Sequence, residues 1–307
     1  MTGASLATGQ PPARRGWRDR VQDFLPKLVL GPTLLAGLVF IYGFILWTAW
    51  LSFTPSRLLP RYEFAGLVQY QSLFENERWW MALGNLGIFG GLFILFCLAV
   101  GLLLAILLDQ RIRAEGFLRA VYLYPMALSF IVTGTAWRWI LNPGLGFEHL
   151  VRQLGFETFT FDWIVTPGMS IYTVVIAGVW QSTGFVMALF LAGLRGVDDS
   201  IIKAAQVDGA GPVRIYTSII VPSLRPVFFS ALIILSHIAI KSFDLVMALT
   251  GGGPGFSSDL PATFMYTFAF NRNQIGLGAA SAMMMLATVV AVVVPLMYAE
   301  TRRQHRG

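Results

Sequence analysis

Three ionisable residues fall inside one long apolar run: His237, Lys241 and Asp244. Their i, i+4, i+7 spacing places all three on one face of a helix. A charged group at hydrocarbon depth is costly and usually marks a functional position. Two chemistries fit the pattern. The face can line a polar path and offer hydrogen bonds to a hydroxyl-rich solute, or Lys241 and Asp244 can pair as an i,i+3 couple that holds helices together. Trp180, Gln181 and Ser182, in another apolar run, would add an aromatic surface and further polar groups to such a path. Met283, Met284 and Met285 read as packing. Arg138, between Trp137 and Trp139, reads as a cation snorkelling from a helix end to the interface.

A second cluster lies in the stretch V-D-D-S-I-I-K-A-A-Q-V-D-G-A-G-P, which begins at Val197. Asp198, Asp199 and Ser200 are good N-cap residues. A short helix is expected over 201–207, then a bend at Gly209, where a Cβ would resist the backbone. Pro212 suits the first turn of a second helix. Pro222 and Pro226 should end that helix and open the next apolar run. Ile201, Ile202, Ala204 and Ala205 are too apolar for an idle solvated loop. Such a helix either sits in a groove of a partner or packs back on its own bundle.

Several chemistries are excluded. Gly251, Gly252, Gly253, Pro254 and Gly255 look superficially like a phosphate loop, but no Lys follows them and a Pro interrupts them. No G-x-x-x-x-G-K-[ST] occurs, so no nucleotide site is expected in this chain. HExxH, GxSxG and a carboxylate pair are also missing, which removes the usual intramembrane hydrolases. The only cysteine, Cys97, allows no internal disulfide and no CxxC cluster. His149, His237 and His305 are too far apart for a local metal motif, so no metal is expected.

The elements that must position these residues are set by solvent. The chain has 307 residues, 56% hydrophobic and only 12% charged, with mean hydropathy +0.66. A soluble domain carries about 25% charged residues, so lipid is the fitting solvent. Six runs are long enough to cross a bilayer as helices: 28–53, 82–108, 118–141, 171–194, 227–249 and 279–298. The first is too long for a signal-peptide core and has no A-x-A site after it, so it should remain as an anchor. The organisation is then a tail over 1–27, a transmembrane domain over 28–299 with a loop over 198–226, and a tail over 300–307.

Charge sets the orientation. Arg14, Arg15, Arg18, Arg20 and Lys27, Arg111, Arg113 and Arg119, Arg195, Lys203, Arg214 and Arg225, and Arg302, Arg303 and Arg306 would share one side. Arg57, Arg61, Arg78, Arg152 and Arg272 would lie on the other. The more basic side is cytoplasmic, which places both termini inside. The net charge of +6 is therefore explained by topology and not by nucleic acid. Trp47, Trp50, Trp79, Trp80, Trp137 and Trp139 fall near outer ends, as interfacial rings do. Gly87-x-x-x-Gly91 and the run Gly278 to Ala282 offer small faces for close helix approach. The first three runs show no similarity to the last three, as a stand-alone secondary transporter would require.

The 198–226 stretch resembles the EAA loop of binding-protein-dependent ABC permeases. That pattern is E-A-A, two residues, D-G-A or D-G-G, and later an aromatic, an isoleucine and P-x-L-x-P. Ala204, Ala205, Asp208, Gly209, Ala210, Ile219, Pro222, Leu224 and Pro226 match it. Tyr216 stands where the family usually has Phe, and Lys203 occupies the place of the Glu. Further stretches resemble the sugar branch of the family, with maltose and glycerol-phosphate permeases: L-L-D-Q-R-I-R-A-E-G-F-L-R-A-V-Y-L-Y-P, T-A-W-R-W-I-L-N-P-G-L-G, and L-T-G-G-G-P-G followed by Y-T-F-A-F. Within that branch the chain is most similar to glucose/mannose-type permeases.

The resemblance implies an all-α integral membrane fold, a type I ABC importer bundle with cytoplasmic EAA coupling helices, in a bacterial cytoplasmic (inner) membrane. It implies a heterodimer with a second permease subunit, two cytoplasmic ATPase subunits, and an extracytoplasmic sugar-binding protein. Lys203, Ala204, Ala205, Asp208, Gly209, Ala210 and Gly211 would dock in a cleft of the ATPase. ATP and Mg would be used there, and this chain would bind no cofactor. Gly251, Gly252, Gly253 and Pro254 would lie near the docked binding protein, or form a plain structural turn. Lys203 reverses the charge at the Glu position, so a salt link made there cannot keep its sense. Driving a transporter between its two facing states takes about 5.5 kcal/mol of differential binding, which a chain without a nucleotide site must receive from elsewhere.

Overall fold

The computed structural model describes residues 17–110 and 113–304. Arg14, Arg15, Arg111, His305 and Arg306 lie outside the described residues. Residues 1–50 and 51–307 form two compact units. The first unit holds most of one long helix, Trp17–Ser52. This helix starts inside the stretch expected to be a tail and runs on through Pro26 into the apolar run. Leu34, Phe40 and Phe44 are exposed along it, as suits side chains that meet lipid.

In the second unit, three runs form long helices near the expected limits. They are Glu77–Asp109 (span 2), Ser170–Leu194 (span 4) and Ile275–Gln304 (span 6). Asn76 caps span 2 by accepting from the Arg78 amide. Spans 2 and 4 make the most extensive helix pair. Phe89, Phe93, Val174, Met187 and Phe190 fill the core beside them. The small-residue face at Gly87 and Gly91 meets no close neighbour. Close approach occurs elsewhere: a Cβ at Gly184 would overlap the Tyr122 carbonyl, and one at Gly101 would come within 2.7 Å of Val186.

Two runs depart from a straight helix. The third (span 3) is Glu115–Leu123, a 3-10 turn at Tyr124–Ala127, and then Phe130–Ile140. Its halves bend by 101°. The break has a local cause, since Pro125 favours a tight turn and Ser129 caps the second half by accepting from the Val132 amide. The fifth (span 5) is Arg225–Ile240 and stops there, with Lys241 as its C-cap. A new short helix, Asp244–Leu249, begins three residues later. His237, Lys241 and Asp244 therefore do not share one continuous helical face, and Lys241 and Asp244 form no ion pair. Among the described residues, four helices are long and apolar enough to cross a membrane, or up to six if each bent pair, Glu115–Ala127 with Phe130–Ile140 and Pro212–Ser223 with Arg225–Ile240, is one span.

The end of the bundle that bears the Gly251–Gly255 turn is bolted by a buried ion pair. Arg78 Nε lies 2.7 Å from Asp259 Oδ2, and the Asp259 side chain is only 1% exposed. Thr263 also donates to Asp259, at 2.5 Å, and Asn85 donates to the Phe256 and Asp259 carbonyls, both at 3.0 Å. The Arg78 guanidinium stacks 4.1 Å from the Phe256 ring centre. Trp79, expected at the interface, is instead buried edge-on against Phe264. Arg78→Ala should leave Asp259 charged and unpaired in a dry site, at a cost of about 3–5 kcal/mol. The expected readout is a clearly lowered melting temperature of the detergent-solubilised protein; an unchanged one would contradict the clamp.

Candidate functional site

The elbow is built as its local chemistry dictates. Its first helix is Asp199–Val207, capped by Asp198 Oδ1, which accepts from the Ser200 amide at 2.8 Å. That bond holds the Asp198 carboxyl below the usual carboxylate range. Asp208 ends the helix, and Gly209 turns the chain at φ +80°. The Ala210 amide bonds back to the Ala205 carbonyl at 2.9 Å, which closes the helix end. Gly211 then precedes Pro212–Ile215, a π-helical turn at Tyr216–Ile220, and Val221–Ser223. Pro222 stands in its last turn, and the helix ends at Ser223, between Pro222 and Pro226 as expected, with a 61° bend into Arg225–Ile240. The π turn spans residue 218, whose carbonyl the Pro222 ring would crowd and leave without a donor.

The elbow is two-faced. Ala205 is buried, and Ile202 and Ala210 pack against the bundle core. Lys203, Ala204, Asp208, Gly209 and Gly211 are exposed. Val207 is 88% exposed and Val213 77%, so apolar side chains are left uncovered by this chain. Packing on the bundle and presentation outward are both present, on opposite faces of one short helix.

The polar residues of the spans meet where the broken helices leave space. A cavity of about 460 Å³ is lined by Gln181, Ser182 and Phe185 of span 4, by Ser129 and Phe130 at the break of span 3, and by Ile234, Ile238 and Asp244. Its volume is in the range of small-molecule sites, about 300–1,000 Å³. Gln181 explains the geometry. Its Nε2 donates to the Leu128 carbonyl at 2.7 Å, and that carbonyl belongs to the broken segment. The side-chain oxygen Oε1 is then buried with no partner. An amide oxygen held this way can accept a hydroxyl from a solute, while Phe130 and Phe185 offer apolar ring surface.

Of the five residues expected along the path, Gln181 and Asp244 come together in this cavity. Trp180 is half-exposed and stands edge-on to Trp137, with ring centres 5.8 Å apart. His237 and Lys241 are exposed and outside the lining. Ser129, Phe130 and Phe185 were missed; only the Pro125-to-Ser129 spacing signals the break that brings two of them in.

The glycine turn at the other end is largely packed. Gly251, Gly252 and Gly253 have φ of +63°, +98° and +73°, a region that disfavours residues with a Cβ. Gly252 is buried, and a Cβ at Gly253 would collide with Ser170 Oγ. Gly251 is exposed and Pro254 half-buried.

An apolar helical bundle with two broken spans, a mostly apolar cavity at the breaks that holds Gln181, Ser182 and Asp244, and an amphipathic elbow defines a polytopic membrane transport subunit. The chain belongs to the family of binding-protein-dependent transport system inner membrane components, whose model matches residues 98–303. This range includes the elbow, the cavity and the glycine turn. A Pyrococcus horikoshii protein named probable ABC transporter permease protein is 36% identical over 92% of this chain and 98% of its own length. The xylose/arabinose import permease protein XacH of Haloferax volcanii is 35% identical over 92% of each chain. A chain of the bacterial alginate ABC transporter, solved with an alginate pentasaccharide-bound periplasmic protein, superposes with TM-score 0.80 at 19% identity, covering 94% of this chain and 98% of that one. This structural likeness concerns the fold, which is that of a type I importer permease.

Gln181→Leu removes the donor to Leu128 and keeps the volume. It should destabilise the protein by about 1–3 kcal/mol, since a buried carbonyl loses its partner. Thermal unfolding in detergent reads this; a stability equal to the parent protein would show that the break is satisfied in another way.

Proposed function

We propose that this chain is one of two permease subunits of an ATP-driven sugar importer and forms half of its translocation path. The observation that supports this most is the elbow, anchored on its inner face and uncovered on its outer one. A nine-residue helix gains nothing from exposing Ala204 and Val207 to water unless a second protein covers them. Cytoplasmic ATPase subunits that hydrolyse ATP with Mg are the partner that family membership supports, with Lys203, Ala204, Asp208, Gly209 and Gly211 in the contact and Ala205 and Ala210 holding the elbow to the bundle. This chain itself holds no cofactor in the proposal. The elbow end is cytoplasmic and the glycine-turn end faces outward, with both termini inside, in a bacterial cytoplasmic membrane. The second permease subunit completes the path, and an extracytoplasmic binding protein delivers the substrate.

A sugar fits the cavity by chemistry. Gln181 Oε1 and Asp244 accept hydroxyl protons, and the two phenylalanine rings face apolar C–H surface. The relative named for xylose/arabinose import supports the carbohydrate class; glucose or mannose rests on the family resemblance alone. The binding protein would meet the glycine turn through Gly251 and Pro254, because Gly252 is buried.

Affinity purification of the tagged chain from its native membrane should retain an ATPase, a second permease and, in the presence of substrate, an external binding protein. Intact complexes with no ATPase would refute the assignment. In that complex, Gly209→Val should block assembly or uncouple ATP hydrolysis from uptake, because valine resists φ +80°. Asp244→Ala should reduce sugar uptake severalfold with normal membrane levels, and unchanged uptake would remove Asp244 from the path.

A further inference from the structure

One side chain of the elbow reaches across to a neighbouring span. Tyr216 is half-buried at the start of the π-helical turn. Its hydroxyl accepts from Gln110 Nε2 at 2.8 Å and donates to Asp109 Oδ2 at 3.4 Å. Asp109 is the last residue of span 2 and Gln110 is its C-cap. The donor and acceptor roles are fixed: an amide can only give a proton here, and a carboxylate can only take one. The hydroxyl therefore completes a directional chain from Gln110 through Tyr216 to Asp109.

We infer that the Tyr216 hydroxyl is a positioning group that latches the elbow to the end of span 2, so that the two shift as one body. The inference rests on the proposed role of the elbow as the contact with the ATPase. Three observations support it. First, a cavity of about 650 Å³ opens between the elbow and the end of span 2, with Asp109, Gln110, Gln206 and Tyr216 among its lining residues. Side-chain packing does not fill that gap, so the polar tie at its rim bears the local connection. Second, the latch sits on a π turn, a helical irregularity common at functional positions. The widened turn makes the Tyr216 segment the irregular stretch of the elbow's second helix, where an added tie has most effect. Third, span 2 makes the most extensive packing with span 4, which holds Gln181 in the cavity. A displacement of the elbow then reaches the cavity through span 2 as well as through the chain connections at either end of the elbow.

The family resemblance puts Phe at this position, so the ring alone can serve as packing. The rival account is that Tyr216 packs and its hydroxyl is incidental. Tyr216→Phe separates the two, because it deletes only the oxygen. The test uses the full complex in lipid nanodiscs, with ATP and Mg or without nucleotide. Spin labels go on Leu107→Cys and Val207→Cys, both exposed positions; Cys97 is buried and stays unlabelled. In the parent complex the Leu107–Val207 distance should be narrowly distributed in each state. In Tyr216→Phe the distribution should broaden about twofold, and ATP hydrolysis without transport should rise about two- to tenfold, the equilibrium weight of one net hydrogen bond. Asp109→Asn should act in the same direction and add little to Tyr216→Phe, as partners in one network do.

Parent-like width and hydrolysis in Tyr216→Phe would overturn the latch. So would loss of the ATPase from Tyr216→Phe complexes alone, since the hydroxyl would then act in docking. If the parent complex itself lacks an ATPase, the proposed function fails, yet the same pair of distances in the chain with its permease partner still decides the latch.

Discussion

In hydrocarbon no backbone N–H or C=O can be left to water, and this constraint governs where the spans are allowed to break. A straight helix meets it by itself. A bent one needs side chains or tight turns to replace the lost bonds. At the break of span 3, Gln181 takes the Leu128 carbonyl and Ser129 takes the Val132 amide. At the end of span 5, the Lys241 amide returns to the His237 carbonyl at 3.3 Å and the Ser242 amide to Ala239 at 3.2 Å. Satisfying a break thus concentrates polar groups around it. The cavity forms at the event that bends the helix, so one side chain, Gln181, both repairs the break and lines the cavity.

The two ends of the bundle are tied by interactions of different strength. At the glycine-turn end, Arg78 and Asp259 are nearly dry, and separating them costs several kcal/mol because a charge would be stranded. At the elbow end the ties are wetter. Glu115 bridges Arg119 of its own helix and Arg195 at the end of span 4, with side chains 31–46% exposed. Such pairs contribute little to stability. The elbow end is thus the end whose ion pairs are the more exposed to water.

What was legible in the sequence divides along the range of the interactions. The elbow is local: Asp198, Gly209 and Pro212 each act within a few residues, so caps, bend and second helix follow from residue type. The six apolar runs are legible because lipid imposes length and composition. The breaks were missed because hydropathy averages over them; 118–141 reads as one apolar run although Pro125 and Ser129 sit inside it. The inference from i, i+4, i+7 spacing failed for the same reason, since periodicity assumes an unbroken helix. The cavity and the clamp depend on partners far apart in sequence. Gln181 and Leu128 are separated by 53 positions, and Arg78 and Asp259 by 181. No local pattern contains such pairs.

The length of the elbow helix explains why it needs so many anchors. Nine residues form too few internal bonds to be stable alone in water. Capping by Asp198 fixes the start, the Ala210-to-Ala205 bond closes the end, and Ala205 with Ile202 seats the inner face on the core. Each anchor lies on the inner side or at a terminus. The outward face is thereby free of structural duty, and its composition is set by what it must meet. That separation permits Lys203 to replace an acid there without disturbing the fold: Ala205 faces inward, and Lys203, two residues earlier, points to the opposite side. Among the described residues no salt bridge fixes the Lys203 charge, so its sign costs the bundle no ion pair.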